Sequence, residues 1–233
     1  MAKYTHTIEV HNLESPREIV PIICSLFEIK SVVDIGCGLG TFLRAFKECG
    51  INDVLGIDGK WCNKKLLYEN IPQENFLELD LEKAITLNRK FDLLVSVEVA
   101  EHLSPNRAKS FVEDIAKLSD VILFSAAIPF QGGDHHYNEQ WLPYWNQKFG
   151  EQGFELFDVL KPLIWENPRI FWWYKQNMVL FVKKGTQLPK LNALSKNELS
   201  RVVHPELFET YANPKSPNSL KRYIKMLLMA MKS

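Results

Sequence analysis

The stretch that decides the fold is Val32-Val33-Asp34-Ile35-Gly36-Cys37-Gly38-Leu39-Gly40-Thr41-Phe42-Leu43. Its apolar, β-branched beginning predicts a buried parallel strand, and the apolar spacing after Thr41 predicts a helix. Between them Gly36, Gly38 and Gly40 allow the backbone to turn sharply and to approach a ligand without a Cβ in the way. The sequence therefore predicts a strand, a ligand-binding turn and a helix.

The spacing of the glycines separates two kinds of cofactor. A dinucleotide-binding turn needs its third glycine three positions after the second, and Thr41 stands there instead. Read as Asp-x-Gly-x-Gly-x-Gly, residues Asp34, Gly36, Cys37, Gly38 and Gly40 resemble the first motif of class I S-adenosylmethionine-dependent methyltransferases. A tight turn that binds no ligand is the alternative interpretation.

The resemblance implies a fold and a cofactor. The fold is α/β and Rossmann-like, with a seven-stranded, mostly parallel sheet that has an antiparallel edge strand and is flanked by helices. The implied cofactor is S-adenosyl-L-methionine. The predicted strands Gly153–Leu160 and Asn177–Val182 would form the antiparallel edge hairpin of that family.

Acidic residues follow the next predicted strands. Ligands of open α/β sheets bind at the carboxyl ends of strands, which favours a binding role over that of an exposed loop carboxylate. An acidic residue at the tip of the second strand suits the ribose hydroxyls, and the resemblance adds the adenine amino group and the methionine ammonium as partners for the others. The residues assigned to these three positions, in chain order, are Asp58 with Gly59, Asp80 with Leu81, and Glu98.

The segment Val97-Glu98-Val99-Ala100-Glu101-His102-Leu103 is similar to the family's segment after its fourth strand, which carries a Glu-His pair. The resemblance places His102 near the substrate pocket. A structural histidine at a helix N-terminus is the alternative role for this residue.

One loop after the predicted fifth strand, Val121–Ala127, combines glycines, histidines, amides and aromatic residues. Gln131-Gly132-Gly133, then His136-x-Asn138-Glu139-Gln140-Trp141, then Tyr144-Trp145 resemble a pattern of bacterial methyltransferases encoded with polysaccharide and lipopolysaccharide genes. This resemblance implies that the acceptor is a sugar or glycan and that the enzyme serves polysaccharide biosynthesis.

The histidines of this loop suggest the chemistry. A sugar hydroxyl becomes a good nucleophile when its proton is removed, and histidine titrates near neutral pH. Adjacent side chains of an extended segment point apart, so only one of the two histidines should reach the hydroxyl. We expect His136 to be this base, with His135 as the other candidate. Both histidines with Asp134 and Glu139 could instead hold a divalent metal, but hard cations prefer several carboxylates. We therefore predict no obligatory metal.

Other residues near this loop are candidates for binding the acceptor. Aromatic rings can stack on a sugar, amides and carboxylates can bond its hydroxyls, and an arginine can bind a carboxylate or phosphate. The aromatic residues also have helical spacing, so packing in the core is the alternative for them. The assigned substrate-binding residues are His102, Asn138, Glu139, Gln140, Trp141, Tyr144 and Arg169.

Composition limits the classes of partner. The chain has 233 residues, and its 28 basic residues balance its 28 acidic ones. No overall positive field and no arginine-rich tract favour nucleic acid, so we expect no nucleic-acid partner. The polar N-terminus lacks the apolar core of a signal peptide, which predicts a cytoplasmic protein.

The domain organisation is predicted as a methyltransferase domain over residues 1–186 and a helical C-terminal extension over residues 187–233. Ser15 and Glu18 form a capping-box pattern that predicts a helix ending near Glu28. Residues 4–12 suit either a solvated arm or a lid. A basic amphipathic helix near residues 219–232 could contact a membrane surface, but docking onto the protein body or a second copy is favoured.

The function predicted from these residues is methyl transfer from S-adenosylmethionine to a hydroxyl of a sugar or glycan, with a histidine as general base. One alternative is a methyltransferase for a small non-sugar metabolite with an oxygen or nitrogen acceptor. Another is a noncatalytic cofactor-binding protein on the same fold.

Overall fold

The computed structural model describes residues 10–192 and 201–212, together with a few separate positions nearer the C-terminus. The strands are β1 (Ser31–Ile35), β2 (Asp53–Asp58), β3 (Phe76–Glu78), β4 (Leu93–Val97), β5 (Val121–Ser125), β6 (Phe154–Phe157) and β7 (Val179–Lys183). The described α-helices are α1 (Glu14–Leu26), α2 (Thr41–Glu48), α3 (Lys64–Asn70), α4 (Ala108–Leu118), α5 (Leu142–Glu151), α6 (Lys161–Ile164), α7 (Trp172–Asn177), α8 (Pro189–Asn192) and α9 (Pro205–Ala212).

The strands form one seven-stranded sheet in the order β3-β2-β1-β4-β5-β7-β6. Neighbours among the first five are parallel, whereas β7 lies antiparallel between β5 and β6. The predicted α/β fold is confirmed. The strand order reverses between β1 and β4, so the carboxyl ends of these strands border the crevice where such sheets bind ligands.

Helices cover both faces of the sheet. Alternation along β1 sends Val32 to one apolar cluster and Val33 to the other, because successive strand residues point to opposite faces. The first cluster includes the apolar faces of α1 and α2, and the second includes those of α4 and α5. The buried strands read as nearly continuous apolar runs for this reason.

The predicted start of the first helix is wrong in detail. The helix begins at Glu14, whose backbone N–H donates to Asn12 Oδ1 at 2.9 Å. Ser15 is buried inside the helix rather than capping it, and its Oγ accepts from the backbone N–H of Phe171 at 3.0 Å. The Ser15 hydroxyl, which the sequence pattern assigns to a helix cap, therefore bonds to a residue far away in sequence. The helix ends at Leu26.

Two strands that the sequence predicts over Phe91–Ser96 and Gly153–Leu160 are shorter in the structure. β4 starts at Leu93 because the carboxylate of Asp92 turns to accept the backbone N–H groups of Lys30 and Ser31. β6 ends at Phe157 because the next residue, Asp158, is fully buried and accepts from Lys161 Nζ at 2.8 Å. Lys161 is the first residue of the short helix α6.

The described part of the C-terminal extension packs against the sheet domain. Leu191, His204 and Leu207 are buried, and the backbone N–H of His204 donates to Gln176 Oε1 at 2.8 Å. The segment therefore belongs to the packed body, although the predicted boundary at residue 187 stays a prediction.

Near the C-terminus, large apolar side chains are exposed at each described position except Tyr223. The prediction that this helix docks onto the body is not met at these positions, while membrane or second-copy contact stays a prediction. Among described residues, no helix combines the length and apolarity needed to cross a bilayer. The exposed residues are Leu220, Ile224, Leu227, Leu228 and Met231.

Candidate active site

The glycine turn after β1 has the backbone conformation that the sequence predicts. Gly36 and Gly40 have φ of 84° and 73°, in the left-handed region that favours glycine. A Cβ on Gly36 would overlap Val99, and one on Gly40 would lie 2.8 Å from Leu67 Cδ1. The backbone N–H groups of Gly36 and Cys37 donate to the carbonyl of Ile57, which fixes the turn to β2.

We expect Gly36→Ala to destabilise the fold more than Gly50→Ala does. Gly50 also has a positive φ, 91°, but nothing lies within 4 Å of a Cβ built there. Both substitutions incur the left-handed penalty of roughly 1–2 kcal/mol, whereas only the first adds an overlap of about 1–3 kcal/mol. Denaturant unfolding of the two variants measures the difference, and equal losses would contradict this account of the turn.

Asp58, at the end of β2, binds the turn from the other side. Its Oδ2 accepts the backbone N–H of Gly38 at 2.7 Å, and its Oδ1 accepts that of Gly59 at 2.6 Å. Burial raises the pKa of Asp58 to about 6, and these backbone donors limit the rise. The carboxylate predicted to bind ribose is therefore held rigidly beside the glycines.

A cavity of about 400 Å³ opens at this edge of the sheet. Its size lies within the usual range for a small-molecule or cofactor site. Several residues predicted from the sequence line it together, although they come from different strands and loops. They are Gly36, Asp58, Leu81, Glu98, His102, His135 and His136.

Aromatic side chains that were not assigned to the site also line the cavity. Trp61 follows Asp58 closely in sequence, and its ring lies so near Gly59 that a Cβ there would overlap it. Trp172, Trp173 and Tyr174 come from α7. In the sequence, the many aromatic residues before β7 were the signal that α7 could line the site. For Trp61 the only signal was its closeness in sequence to Asp58.

Glu98 follows β4 directly and lines the cavity. Its backbone adopts a left-handed φ of 55°. Its carboxylate accepts from Gln131 Nε2 at 2.9 Å and from Asn177 Nδ2 at 3.1 Å. Burial raises the pKa of Glu98, and hydrogen bonds from Asn177, Ser125 and Gln131 oppose that rise. Backbone strain of this kind persists where the surroundings fix it, commonly at binding sites.

The amides that hold Glu98 are themselves connected. Asn177 Nδ2 donates to Gln131 Oε1 at 2.9 Å, and Gln176 Nε2 donates to the same oxygen at 3.1 Å. Gln176 in turn accepts from His204. A chain of buried hydrogen bonds thus joins the C-terminal segment to the carboxylate in the cavity.

Glu101, the glutamate of the Glu-His pair, also lines the cavity, and no role was predicted for it. Its side chain is 0% exposed, and neither carboxylate oxygen has a hydrogen-bond partner. Burial raises its pKa well above the ordinary value, and the nearby charge of Glu98 adds to the rise. One potential ligand atom each from Glu101, His102 and His136 lies within 4.8 Å of the others.

His136 is the more enclosed of the adjacent histidines, and its Nδ1 lies 3.0 Å from Glu139 Oε1. Burial tends to raise the pKa of Glu139, but hydrogen bonds from His136, Gly132 and Phe130 hold it below its ordinary value. His135 is exposed at the mouth. Burial lowers the pKa of His102 to about 4, so its ring is neutral at pH 7.

Several predicted substrate-binding residues lie outside the lining of this cavity, so their contact with an acceptor stays a prediction. Glu139 lies outside the lining and bonds to two lining residues, His136 and Gly132, while Asn138 is buried and accepts from Gln140 Nε2. The remaining assignments involve Trp141, Tyr144 and Arg169.

Those three side chains have other partners. Trp141 lies near Arg201, and Tyr144 packs edge-on against Trp145, which is in the core. Core packing, the alternative interpretation, therefore applies to Tyr144, whereas Trp141 is half-buried outside the core clusters. Arg169 is paired with Glu18 at 2.8 Å.

The other predicted cofactor residues support the turn without lining the cavity. Asp34 is buried in β1, and burial followed by the charge of Asp58 raises its pKa well above the ordinary value. Cys37 lies against Gly56 of β2, and Gly40 precedes α2. Asp80 accepts the backbone N–H of Glu82 at 3.2 Å, so its predicted contact with adenine stays a prediction.

At the N-terminal end of the described chain, Val10 and His11 line the cavity. This position agrees with a lid more than with a solvated arm. Most of the predicted segment, residues 4–9, lies outside the described residues.

Comparisons with known proteins identify the family of the chain. A family model described as "Methyltransferase domain" matches residues 11–159. The mitochondrial ubiquinone biosynthesis O-methyltransferase of Dictyostelium discoideum is 28% identical over 102 residues, which cover 38% of this chain and 31% of that protein. The match thus spans less than a third of the relative's length.

Solved structures share the fold at low identity. DesVI of Streptomyces venezuelae superposes with a TM-score of 0.57 and 14% identity over 73% of this chain and 91% of that one. CalS10 of Micromonospora echinaspora, an amino pentose methyltransferase solved with S-adenosylmethionine bound, has a TM-score of 0.55 and 10% identity over 78% and 99% of the two chains. Since the family model covers more than half of its residues, the chain belongs to the methyltransferase-domain family.

Proposed function

We propose that the protein transfers a methyl group from S-adenosylmethionine to a hydroxyl group of a sugar or glycan. The observation that carries this proposal is the presence of the His136–Glu139 pair beside the same cavity that Asp58 and Glu98 line. One part of the cavity suits the cofactor and the other suits proton removal. The polysaccharide context rests on the resemblance of the loop at residues 131–145.

The cofactor end fits a nucleoside joined to an amino acid. The ribose hydroxyls would donate to Asp58, and the methionine ammonium would donate to Glu98. Both carboxylates are already held by neighbours, so binding requires little rearrangement of them. The lining residues of the described chain include no lysine or arginine, which suits a ligand with ammonium and sulfonium charges.

Methyl transfer is an in-line displacement, so most of the catalysis is alignment of the nucleophile, the methyl carbon and the leaving sulfur. The acceptor oxygen forms the new C–O bond as the C–S bond breaks, and its proton goes to a base. In His136, Glu139 would hold Nδ1–H and leave Nε2 as the basic atom. The aromatic walls Trp172 and Trp173 replace Trp141 and Tyr144 as candidates to stack on the sugar.

Two of the similar proteins bear on the nature of the acceptor. CalS10 is described as an amino pentose methyltransferase, and the Dictyostelium protein as a ubiquinone biosynthesis O-methyltransferase. The first supports a sugar, while the second keeps a small non-sugar acceptor as the second candidate.

Calorimetry tests the cofactor. We expect S-adenosylmethionine to bind with one site per chain and nicotinamide dinucleotides not to bind under the same conditions. Binding of the dinucleotide alone would overturn the assignment of the glycine turn.

A panel of acceptors tests the substrate class. The panel contains free sugars, nucleotide sugars and short glycans on one side and catechols and small amines on the other. Release of S-adenosylhomocysteine with members of the first group supports the proposal. Turnover confined to the second group would replace the sugar with a small metabolite.

A further inference from the structure

Glu101, His102 and His136 form a cluster of side chains at the cavity wall. One potential ligand atom from each lies within 4.8 Å of the others, although the residues come from two separate segments of the chain. The rings of His102 and His136 meet edge to face, with centroids 4.8 Å apart. Such a separation of nitrogen and oxygen donors is suitable for a single ion lying between them.

Glu101 supplies an independent indication of a ligand. Its carboxylate is completely buried, lines the cavity and receives no hydrogen bond at either oxygen. An unpaired buried carboxylate is costly, so native proteins normally give it a partner or a metal. Among the described residues, no side chain donates to it at hydrogen-bond geometry, and the nearby charge of Glu98 is repulsive.

The charges around the cluster favour a cation. Asp58, Glu98 and Glu101 all line the cavity, while the described lining residues include no lysine and no arginine. The ammonium of the proposed cofactor would meet Glu98, and Glu101 still lacks a positive partner. A divalent cation would provide one at the second carboxylate.

Groups outside the cluster hold it in place. Glu139 binds Nδ1 of His136 at 3.0 Å, and the carbonyl of His135 lies 3.3 Å from Nδ1 of His102. The backbone N–H groups of Tyr137 and Asn138 donate to the carbonyl of Glu101 at 2.8 and 3.0 Å. Metal-binding histidines usually have such a partner on the second ring nitrogen, which fixes the ring's orientation.

We propose that Glu101, His102 and His136 bind a divalent cation, with the carboxylate of Glu98 beside them. Two imidazoles with carboxylate oxygen favour a transition metal such as Mn²⁺ or Zn²⁺ over Ca²⁺, which prefers oxygen ligands alone. From the sequence, the possible metal ligands were the two histidines with Asp134 and Glu139, and no obligatory metal was expected. The cluster proposed here uses different carboxylates. Asp134 is exposed and outside the cluster, and the buried donor is Glu101.

The role of the cation rests on the proposed O-methylation, whereas its binding does not. A cation at this position would bind the acceptor hydroxyl and lower its pKa, and the proton would leave to water at the open mouth. The oxygen then attacks the methyl carbon as the C–S bond breaks. With the cation bound, His136 acts as a ligand, and without it the same nitrogen is available as the base.

Binding of Mn²⁺ to protein dialysed against a chelator tests the site without any substrate. Electron paramagnetic resonance measures free Mn²⁺, and we expect one bound ion per chain. Glu101→Gln and His102→Ala should each weaken binding at least ~10-fold, because each removes one ligand. Asp134→Asn, an acidic residue of the same loop outside the cluster, should change the affinity less than ~2-fold. Far-UV circular dichroism verifies that each variant is folded.

Absence of Mn²⁺ and Zn²⁺ binding to the wild-type chain would overturn the proposal. Binding that is equally strong in Glu101→Gln and His102→Ala would also overturn it, since the ion would then lie elsewhere. A bound ion in a protein that methylates no sugar would leave the metal site standing and refute the proposed acceptor. Sugar methylation that persists in the metal-free protein would retain the acceptor and remove the catalytic role of the ion.

Discussion

Replacing His136 with alanine is expected to lower kcat at least ~10²-fold while S-adenosylmethionine binds within a few-fold of its wild-type affinity. The imidazole is the proposed base, whereas Asp58 and Glu98, which line the same cavity, are the proposed ligands of the cofactor. Single-turnover kinetics measures the loss, and calorimetry measures the affinity. His135→Ala, which removes the exposed neighbour, should cost less than ~10-fold.

Preserved turnover in His136→Ala would remove this residue from the mechanism. Where turnover is lost, the two roles of His136 respond to different rescues. Added imidazole restores activity if the side chain is a base, and a higher Mn²⁺ concentration restores it if the side chain is a ligand. Failure of both rescues in a variant that binds cofactor normally would contradict both roles.

Replacing Asp58 with alanine is expected to reduce the affinity for S-adenosylmethionine by ~10² or more. Hydrogen bonds to a charged group contribute roughly 1.5–3 kcal/mol each, and the ribose offers two hydroxyls. The substitution also frees the backbone N–H groups of Gly38 and Gly59, which loosens the turn. Calorimetry near pH 7.5 measures the loss, and an unchanged Kd would exclude Asp58 as the ribose ligand.

The same carboxyl group predicts a pH dependence. Ribose hydroxyls donate to the ionised form, and burial raises the pKa of Asp58 to about 6. Affinity should therefore fall as the pH decreases through about 6, and Asp58→Asn should remove that part of the dependence. The sign for folding without cofactor is the opposite. Because the folded-state pKa is raised, the group's contribution to stability is present at low pH and is lost as the pH rises through about 6.

The sheet and the turn were predictable because local constraints specify them. The positive φ of Gly36 and Gly40 and the buried run of β1 follow directly from residue types in consecutive positions. The carboxyl ends of parallel strands lie together, so Asp58 and Glu98 could be placed at one site from strand positions alone. Their contact with a common cavity agrees with that reasoning.

Other parts of the site depend on long-range packing that a pattern does not reveal. Tyr144 occupies a helical position whose neighbours are core residues, so its ring packs against Trp145 instead of the cavity. Arg169 is paired with Glu18, which is far away in sequence. In the sequence Glu101 is an ordinary charged residue. In the structure the backbone N–H groups of Tyr137 and Asn138 donate to its carbonyl, and its side chain is buried.

The measurement that tests the central claim most directly is the position of the transferred methyl group. The protein is incubated with trideuteromethyl S-adenosylmethionine and with the acceptors that release S-adenosylhomocysteine, and the product is analysed by mass spectrometry and NMR. We predict one trideuteromethyl group bonded to a hydroxyl oxygen of a sugar, with label incorporated at least ~10²-fold more slowly by His136→Ala. Label on nitrogen or carbon, or on a non-sugar acceptor alone, would contradict the account.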